Sequence, residues 1–285
     1  MQEIYSIIAR SLNIKERQVE NTIKLLDTGA TIPFISRYRK EATGGLTDVQ
    51  VAEVAEQQRK LSELVHRKDY ITQTIEEQGK LTDELRERIA KCWDATILED
   101  IYLPYKPKRK TRAEAARKRG LEPLADAILL HPNANPEQLA EKYLTDEVPT
   151  TADALQGARD ILAERMSEDE QIRATLRTTF ERTAVISSSV VKTKREEAAK
   201  YADYFDFSEP LRRLPSHRLL AMRRGEAEGF LRVSISPRDE DDARDRLLRG
   251  YPTRGLCGEQ VVMAMTDAYK RLLKPSIETE FAASS

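Results

Sequence analysis

The sequence predicts a mainly all-α fold, an elongated and irregular array of many helices with a helix-turn-helix-like unit at its start. One third of the 285 residues are charged and 6% are aromatic, and there are only 11 glycines and 12 prolines. This composition favours helices with solvated faces over a sandwich or barrel. Capping residues also recur ahead of apolar stripes that have helical spacing. No fixed repeat period appears, so we do not expect a regular solenoid.

The N-terminal pattern predicts two helices, a tight turn and a third helix. Apolar residues from Ile4 to Leu12 and from Val19 to Leu26 follow helical spacing. Gly29 fits a left-handed cap after the second stripe, and Thr31 with Pro33 can begin the next helix. These signals together indicate the helix-turn-helix-like unit.

Beyond this unit, one long helix and one connector are predicted. An apolar face runs from Thr47 to Gly79, which indicates a single long helix that acts as a strut. The segment from Leu98 to Lys110 contains two prolines within four residues. Because proline disfavours a helix interior and restricts the residue before it, we expect an ordered or extended connector there.

One segment has the periodicity of a strand. From Gly229 to Ser236 apolar and polar residues alternate after Phe230. A lone strand leaves its backbone groups unpaired, so it needs a partner. The segment from Ala184 to Val191 is the candidate, giving a short β-hairpin or strand pair within the helical array.

The order of these elements divides the chain into three predicted regions. Residues 1–79 form the helix-turn-helix-like unit with the long helix, residues 80–214 a central helical region, and residues 215–285 a helical region with the short strand. No helix-ending signal precedes Ser285. We therefore expect the chain to be truncated.

No constellation of residues predicts catalysis, a metal or a cofactor. His66, His131 and His217 lack the partner spacing that metal binding requires, and neither a phosphate-binding loop nor a nucleophile elbow occurs. Cys92 and Cys257 have no motif spacing, which indicates a reduced, cytoplasmic chain. No stretch approaches the ~20 apolar residues of a membrane span.

Charge is segregated along the chain although the formal net charge is −1. Tyr105 to Arg119 holds eight basic residues and one acid, for +7, whereas Glu137 to Glu170 holds ten acids and three bases, for −7. Such a chain can present one surface to phosphates and another to a basic partner. Alternatively, each run is simply the solvated face of a helix.

Three basic clusters are the candidate nucleic-acid-binding sites. Cations supply affinity that does not depend on sequence, and aromatic side chains can stack on unpaired bases. The alternatives are an ordinary helical hairpin at the first cluster, and tyrosines (Tyr102 and Tyr105) that only anchor the connector at the second. The predicted site residues are Arg37, Arg39 and Lys40; then Tyr105, Lys106, Lys108, Arg109, Lys110, Arg112, Arg117, Lys118 and Arg119; and then Arg218, Arg223 and Arg224, with Arg212 and Arg213 nearby.

Four long stretches resemble the bacterial Tex family, also known as YhgF. They read TIPFISRYRKEATGGLTDVQ at Thr31–Gln50, LEDIYLPYKPKRKTRAEAARKRGLEPLA at Leu98–Ala125, LQGARDILAERMSED at Leu155–Asp169 and SHRLLAMRRGEAEG at Ser216–Gly229. The stretches occur in the family's order and spread over most of the chain. Two departures are an alanine, Ala42, where valine is frequent, and Ala227 where lysine is expected.

The resemblance implies a cytoplasmic, elongated helical protein, distantly similar to a eukaryotic transcription elongation factor. In the family a ribonuclease-H-like domain, helix-hairpin-helix units and an OB-fold RNA-binding domain follow, and none is recognisable here. We expect a non-enzymatic scaffold that contacts RNA or DNA phosphates, mostly independently of sequence, and positions downstream domains. The alternative is a protein-interaction module that docks RNA polymerase, the ribosome or the protein's own C-terminal domains.

Overall fold

The computed structural model describes residues Met1–Ser284 and confirms the mainly helical fold with a short group of strands. Contacts divide the chain into two compact units, the first ending at Tyr105 and the second beginning at Lys106. The three predicted regions stay a prediction, and Ser285, the last residue of the third, lies outside the described residues. Within them, no helix combines the length and apolar content that crossing a membrane requires.

The first unit consists of helices joined by short turns. They are α1 (Gln2–Leu12), α2 (Glu16–Asp27), α3 (Ile32–Tyr38), α4 (Lys40–Thr43), α5 (Asp48–Glu77), α6 (Asp83–Lys91) and α7 (Ala95–Tyr102), followed by a 3₁₀ turn at Leu103–Tyr105.

Two hydrophobic clusters hold this unit together. The first joins α1, α2 and α3 to the start of α5 through residues such as Ile8, Ile23 and Ile35. The second joins the rest of α5 to α6 and α7 through residues such as Ile71 and Leu98. The long predicted helix is therefore the element that links both clusters.

Helix α3 and the turn after it place the first basic cluster. The Thr31 hydroxyl accepts a hydrogen bond from the Phe34 amide at 3.3 Å, which caps α3. Gly44 ends α4 in the left-handed region at φ 69°. A Cβ there would lie 2.7 Å from Nε2 of Gln18, which donates to the Thr43 carbonyl at 2.9 Å. This close approach explains the glycine.

The predicted connector begins later than the prolines suggested. The Asp94 side chain accepts hydrogen bonds from the Thr96 and Ile97 amides and so caps α7. Leu98 and Ile101 are buried, so the segment continues as helix through Tyr102. The expectation that the connector starts at Leu98 was wrong, because a cap and an apolar stripe outweigh a proline two residues further on.

The second unit contains the remaining helices and one small sheet. Its elements are α8 (Arg112–Lys118), α9 (Glu122–Leu130), α10 (Pro136–Glu141), α11 (Thr151–Ser167), α12 (Glu170–Thr183), β1 (Ala184–Val190), β2 (Asp206–Pro210), α13 (Ser216–Ala227), β3 (Leu231–Pro237), α14 (Glu240–Leu247), α15 (Gly255–Asp267), a π-helical stretch (Ala268–Leu273) and α16 (Lys274–Ser284).

Helix α11 is the centre of this unit. Its buried residues include Ala158, Ile161, Leu162 and Ala163, which cover more than one stripe of the helix. Helices α8, α9, α10 and α15 all pack against it. The second basic cluster therefore ends on a helix, α8, whose inner side rests on α11.

The sheet confirms the predicted strand pair and adds a third strand. β1 lies between β2 and β3, antiparallel to both, with Ile186 opposite Ile235. Ser188 of β1 faces Phe207 of β2. The prediction of two strands missed β2. This strand is only five residues long, and its sequence, DFSEP, has little alternation of apolar and polar residues.

Gly258 in the first turn of α15 gives a stability prediction. A Cβ at this position would lie 2.4 Å from the carbonyl carbon of Thr253, a backbone atom that no rotamer change can move away. We expect Gly258→Ala to lower the free energy of unfolding by about 1–3 kcal/mol through overpacking. Urea unfolding measures this, with Glu259→Ala on the exposed side as control. Equal stabilities of the two variants would contradict the prediction.

Candidate nucleic-acid interface

The first basic cluster lies at the end of α3 and in α4. The Arg37 and Lys40 side chains are exposed, and neither forms an ion pair with any described residue. Arg39 forms an ion pair, because its Nε donates to Oε1 of Glu41 at 2.7 Å. Arg37 and Lys40 are therefore the two cations of this cluster that face solvent without an acidic partner.

The second cluster is partly neutralised from within the second unit. Glu164 of α11 is buried, and its Oε1 accepts from Nη1 of Arg117 at 2.9 Å and lies 3.3 Å from Nζ of Lys108. Its Oε2 accepts from the Thr111 hydroxyl at 3.0 Å. Lys108 also pairs with Glu168. The packing of α8 on α11 thus joins the end of the acidic run to the basic run.

Burial and pairing act in opposite directions on the two carboxyl groups. Burial by itself raises the pKa of Glu164, but the hydrogen bond from Arg117 and the charge of Lys108 outweigh it, so the pKa is lowered. For Glu168 burial is the largest influence and the pKa is raised despite the bond from Lys108. The pairing contacts together therefore outweigh burial at Glu164, whereas burial outweighs them at Glu168.

Four cations of the second cluster remain available to a ligand. Lys106, Arg109, Lys110 and Arg112 are exposed, and within the described part of the chain none has a carboxylate within ion-pair distance. Of the other cations in this cluster, Lys118 pairs with Glu114 at 3.2 Å and Nε of Arg119 donates to the Ala115 carbonyl at 3.2 Å. The four free cations lie within seven consecutive residues.

The tyrosines before this segment take part in packing. Tyr102 is buried in the second hydrophobic cluster of the first unit. The guanidinium of Arg67 lies 5.2 Å from the centroid of its ring. Tyr105 is half-buried against the same cluster, and its carbonyl accepts from Nε2 of Gln78 at 2.7 Å. These contacts support the alternative that the tyrosines anchor the connector.

The third cluster lies along α13 and in the turn before it. Arg218 is 3.5 Å from Oε1 of Glu209, and Arg223 is 3.2 Å from Oε1 of Glu226. Arg224 is exposed and, among the described residues, has no ion pair. Arg212 and Arg213 are exposed in a 3₁₀ turn before the helix. Two of the three predicted site residues here therefore have acidic neighbours.

Two exposed aromatic residues lie next to the first basic cluster, and the sequence analysis did not include them among the predicted site residues. Phe34 and Tyr38 of α3 remain 46% and 68% exposed. Their ring centroids are 5.6 Å apart. The sequence does contain a signal, because Phe34 and Tyr38 are four residues apart and are therefore neighbours on the surface of a helix.

The fold and these clusters define a helical protein in two units, with exposed basic segments at the ends of helices and in the turns between them. Two family models match the chain. One, for the Tex-like protein N-terminal domain, covers residues 2–76, and the other, for the Tex central region, covers residues 131–266. The chain therefore belongs to the Tex family.

Named relatives agree with this assignment. The chain is 46% identical over 238 residues to the transcriptional accessory protein Tex of Neisseria gonorrhoeae, covering 84% of the chain and 31% of the relative. It is 45% identical over 259 residues to protein YhgF of Escherichia coli, covering 90% and 32%. The S1 RNA-binding domain-containing protein 1 of Homo sapiens is 28% identical over 298 residues, covering 99% and 30%. The chain spans about a third of each relative's length.

Proposed function

We propose that this chain is a nucleic-acid-associated scaffold of a transcription accessory protein, acting without a catalytic group of its own in the cytoplasm. The observation that carries the proposal is the set of four exposed and unpaired cations between Lys106 and Arg112. Cations held close together on a solvated segment can follow successive phosphates of RNA or DNA, largely without reading sequence. The proposal is supported by two relatives, one named as a transcriptional accessory protein and one as a protein with an S1 RNA-binding domain.

Ion pairs and hydrogen bonds within the protein hold the segment from Lys106 to Arg112 in place. Lys108 lies between its free neighbours Lys106 and Arg109 and is held by Glu164 and Glu168. Thr111 caps α8 through the Glu114 amide at 3.0 Å and also bonds Glu164. The free cations are thereby presented from a segment tied at two points, so less conformational entropy is lost when a ligand binds.

Fluorescence anisotropy with labelled single-stranded RNA, single-stranded DNA and duplex DNA tests the proposal. We expect binding at low salt that weakens steeply as salt rises, because bound phosphates release their counterions. Absence of binding to all three probes at low salt would overturn the proposed function.

A second candidate function is protein docking through the acidic run. Its N-terminal part carries exposed carboxylates on both sides of Val148, and the exposed acids are Glu137, Glu141, Asp146, Glu147 and Asp153. A basic surface, such as one of RNA polymerase or the ribosome, would complement them. Binding to purified RNA polymerase or ribosomes, measured after nuclease treatment, should then fall when these five acids are changed to amides. Unchanged binding would argue against this candidate.

A further inference from the structure

Helix α3 turns one face toward the core and the opposite face toward solvent. Ile35 is fully buried and Ser36 is nearly so. Successive residues of a helix are about 100° apart, so Phe34, Arg37 and Tyr38 share the side away from these two. All three side chains are exposed. The solvent face of α3 therefore combines two aromatic rings with one guanidinium.

The two exposed rings form a small apolar surface that a ligand can cover. Phe34 keeps 46% and Tyr38 keeps 68% of its surface accessible. Leaving apolar ring surface in water forgoes the favourable free energy of burial, and neighbouring exposed apolar residues mark interaction sites. Within the described residues, the ring of Phe34 contacts the ring of Tyr38 and no other aromatic ring, and the same holds for Tyr38.

The geometry of the pair restricts what can cover it. The ring planes are tilted by 47° with centroids 5.6 Å apart, so they leave no parallel slot for a single flat group. Each ring can still present its outward face. Two consecutive flat groups, one on each ring, fit this arrangement better than one intercalated group, since stacking needs nearly parallel planes.

The charge around the rings selects a polyanion. Arg37 lies on the same helix face, and Lys40 follows two residues after Tyr38. Neither has an acidic partner in the described part of the chain, whereas Arg39 and Glu41 neutralise each other at 2.7 Å. Aromatic rings next to unpaired cations are the combination that binds single-stranded nucleic acid. In a duplex the faces of the bases are already stacked on one another.

We propose that Phe34 and Tyr38 form a stacking surface for two consecutive unpaired bases of single-stranded RNA or DNA, with Arg37 and Lys40 contacting the adjoining phosphates. This inference rests on the proposed function, because it names the form of nucleic acid that the first unit recognises. It adds a contact through the bases to the contact of the second unit through phosphates.

The test compares the whole chain with its Phe34→Leu/Tyr38→Leu variant, using a single-stranded oligonucleotide and an abasic strand of the same length. Leucine keeps apolar surface but removes the flat π-face. We expect the variant to bind the base-containing strand about tenfold or more weakly, given the usual contribution of one or two stacked bases. We expect its affinity for the abasic strand to be unchanged. Thermal unfolding should show equal stability, since both positions are exposed.

Phe34→Tyr/Tyr38→Phe is the matched control, because it exchanges the two ring types and retains both faces, and it should bind like the unaltered chain. The inference is overturned if the leucine variant binds both strands normally, which would direct the rings to a protein partner. It is also overturned if the unaltered chain does not prefer bases over the abasic strand. If neither strand binds at low salt, this inference fails, and the proposed function fails with it only if duplex DNA is not bound either. If binding depends on Lys106 to Arg112 and not on the rings, only this inference fails.

Discussion

Changing Lys106, Arg109, Lys110 and Arg112 together to glutamine is expected to weaken binding to single-stranded nucleic acid by at least about a hundredfold near 50 mM salt. The reason is that these four cations are exposed and have no carboxylate within ion-pair distance among the described residues. Each of them can neutralise a phosphate and release its counterion. The measurement is anisotropy titration of one labelled oligonucleotide with both proteins.

A control with the same loss of charge separates clustering from net charge. Arg10, Arg17, Lys80 and Lys270 are exposed cations dispersed over both units, and glutamine at all four changes the net charge equally. Dispersed cations do not follow consecutive phosphates, so this control should bind nearly as well as the unaltered chain. Equal losses in the two variants would mean that only overall charge matters.

Replacing Glu164 with glutamine is expected to lower the free energy of unfolding by about 3 kcal/mol, the lower end of the range for breaking a buried ion pair. Glu164 is buried, and it accepts bonds from Arg117 and Thr111 and faces Lys108. The lower end applies because the Lys108 and Arg117 side chains keep 30% and 33% exposure and can regain some hydration. Urea unfolding gives the value. A change below about 0.5 kcal/mol, as is usual for surface substitutions, would contradict it.

We also expect the effect of Glu164→Gln on the free energy of unfolding to depend on pH. Pairing lowers the pKa of Glu164 in the folded protein below the value of 4.5 for the free side chain. Because the pKa of Glu164 is lower in the folded protein than in the unfolded chain, its ionised form stabilises the fold at pH values above the unfolded-chain pKa. This stabilisation is lost as the pH falls through the pKa of the folded protein. The stability difference between the unaltered chain and Glu164→Gln should therefore be full near neutral pH and should shrink below about pH 4.5. A difference that is constant down to acid pH would contradict the network.

Much of the fold follows from local signals in the sequence. Caps such as Thr31 and Thr47 and the glycine after each stripe mark helix ends because they satisfy or terminate backbone hydrogen bonds locally. The strand pair follows from alternation in one segment and the need for a partner. β2 could not be predicted, because its pairing with β1 depends on tertiary position and not on its own pattern.

The site was harder to predict, because charge in a sequence does not show what it faces. Glu164 and Lys108 are 56 residues apart, and only the packing of α8 on α11 brings them together. Helix α11 is buried on several sides and carries Glu164 inward, which depends on the packing of its neighbours. The basic and acidic runs thus partly neutralise each other, which linear counts of charge do not reveal.

The salt dependence of binding shows whether the free cations of the Lys106 to Arg112 segment contact phosphates. A plot of log affinity against log salt for single-stranded RNA should have a slope of about −2.8 or steeper, since each neutralised phosphate contributes about −0.7. The slope should become shallower by about 2.8 when the four cations are replaced by glutamine. A slope that is unchanged by the replacement, or that is near zero for the unaltered chain, would contradict the claim.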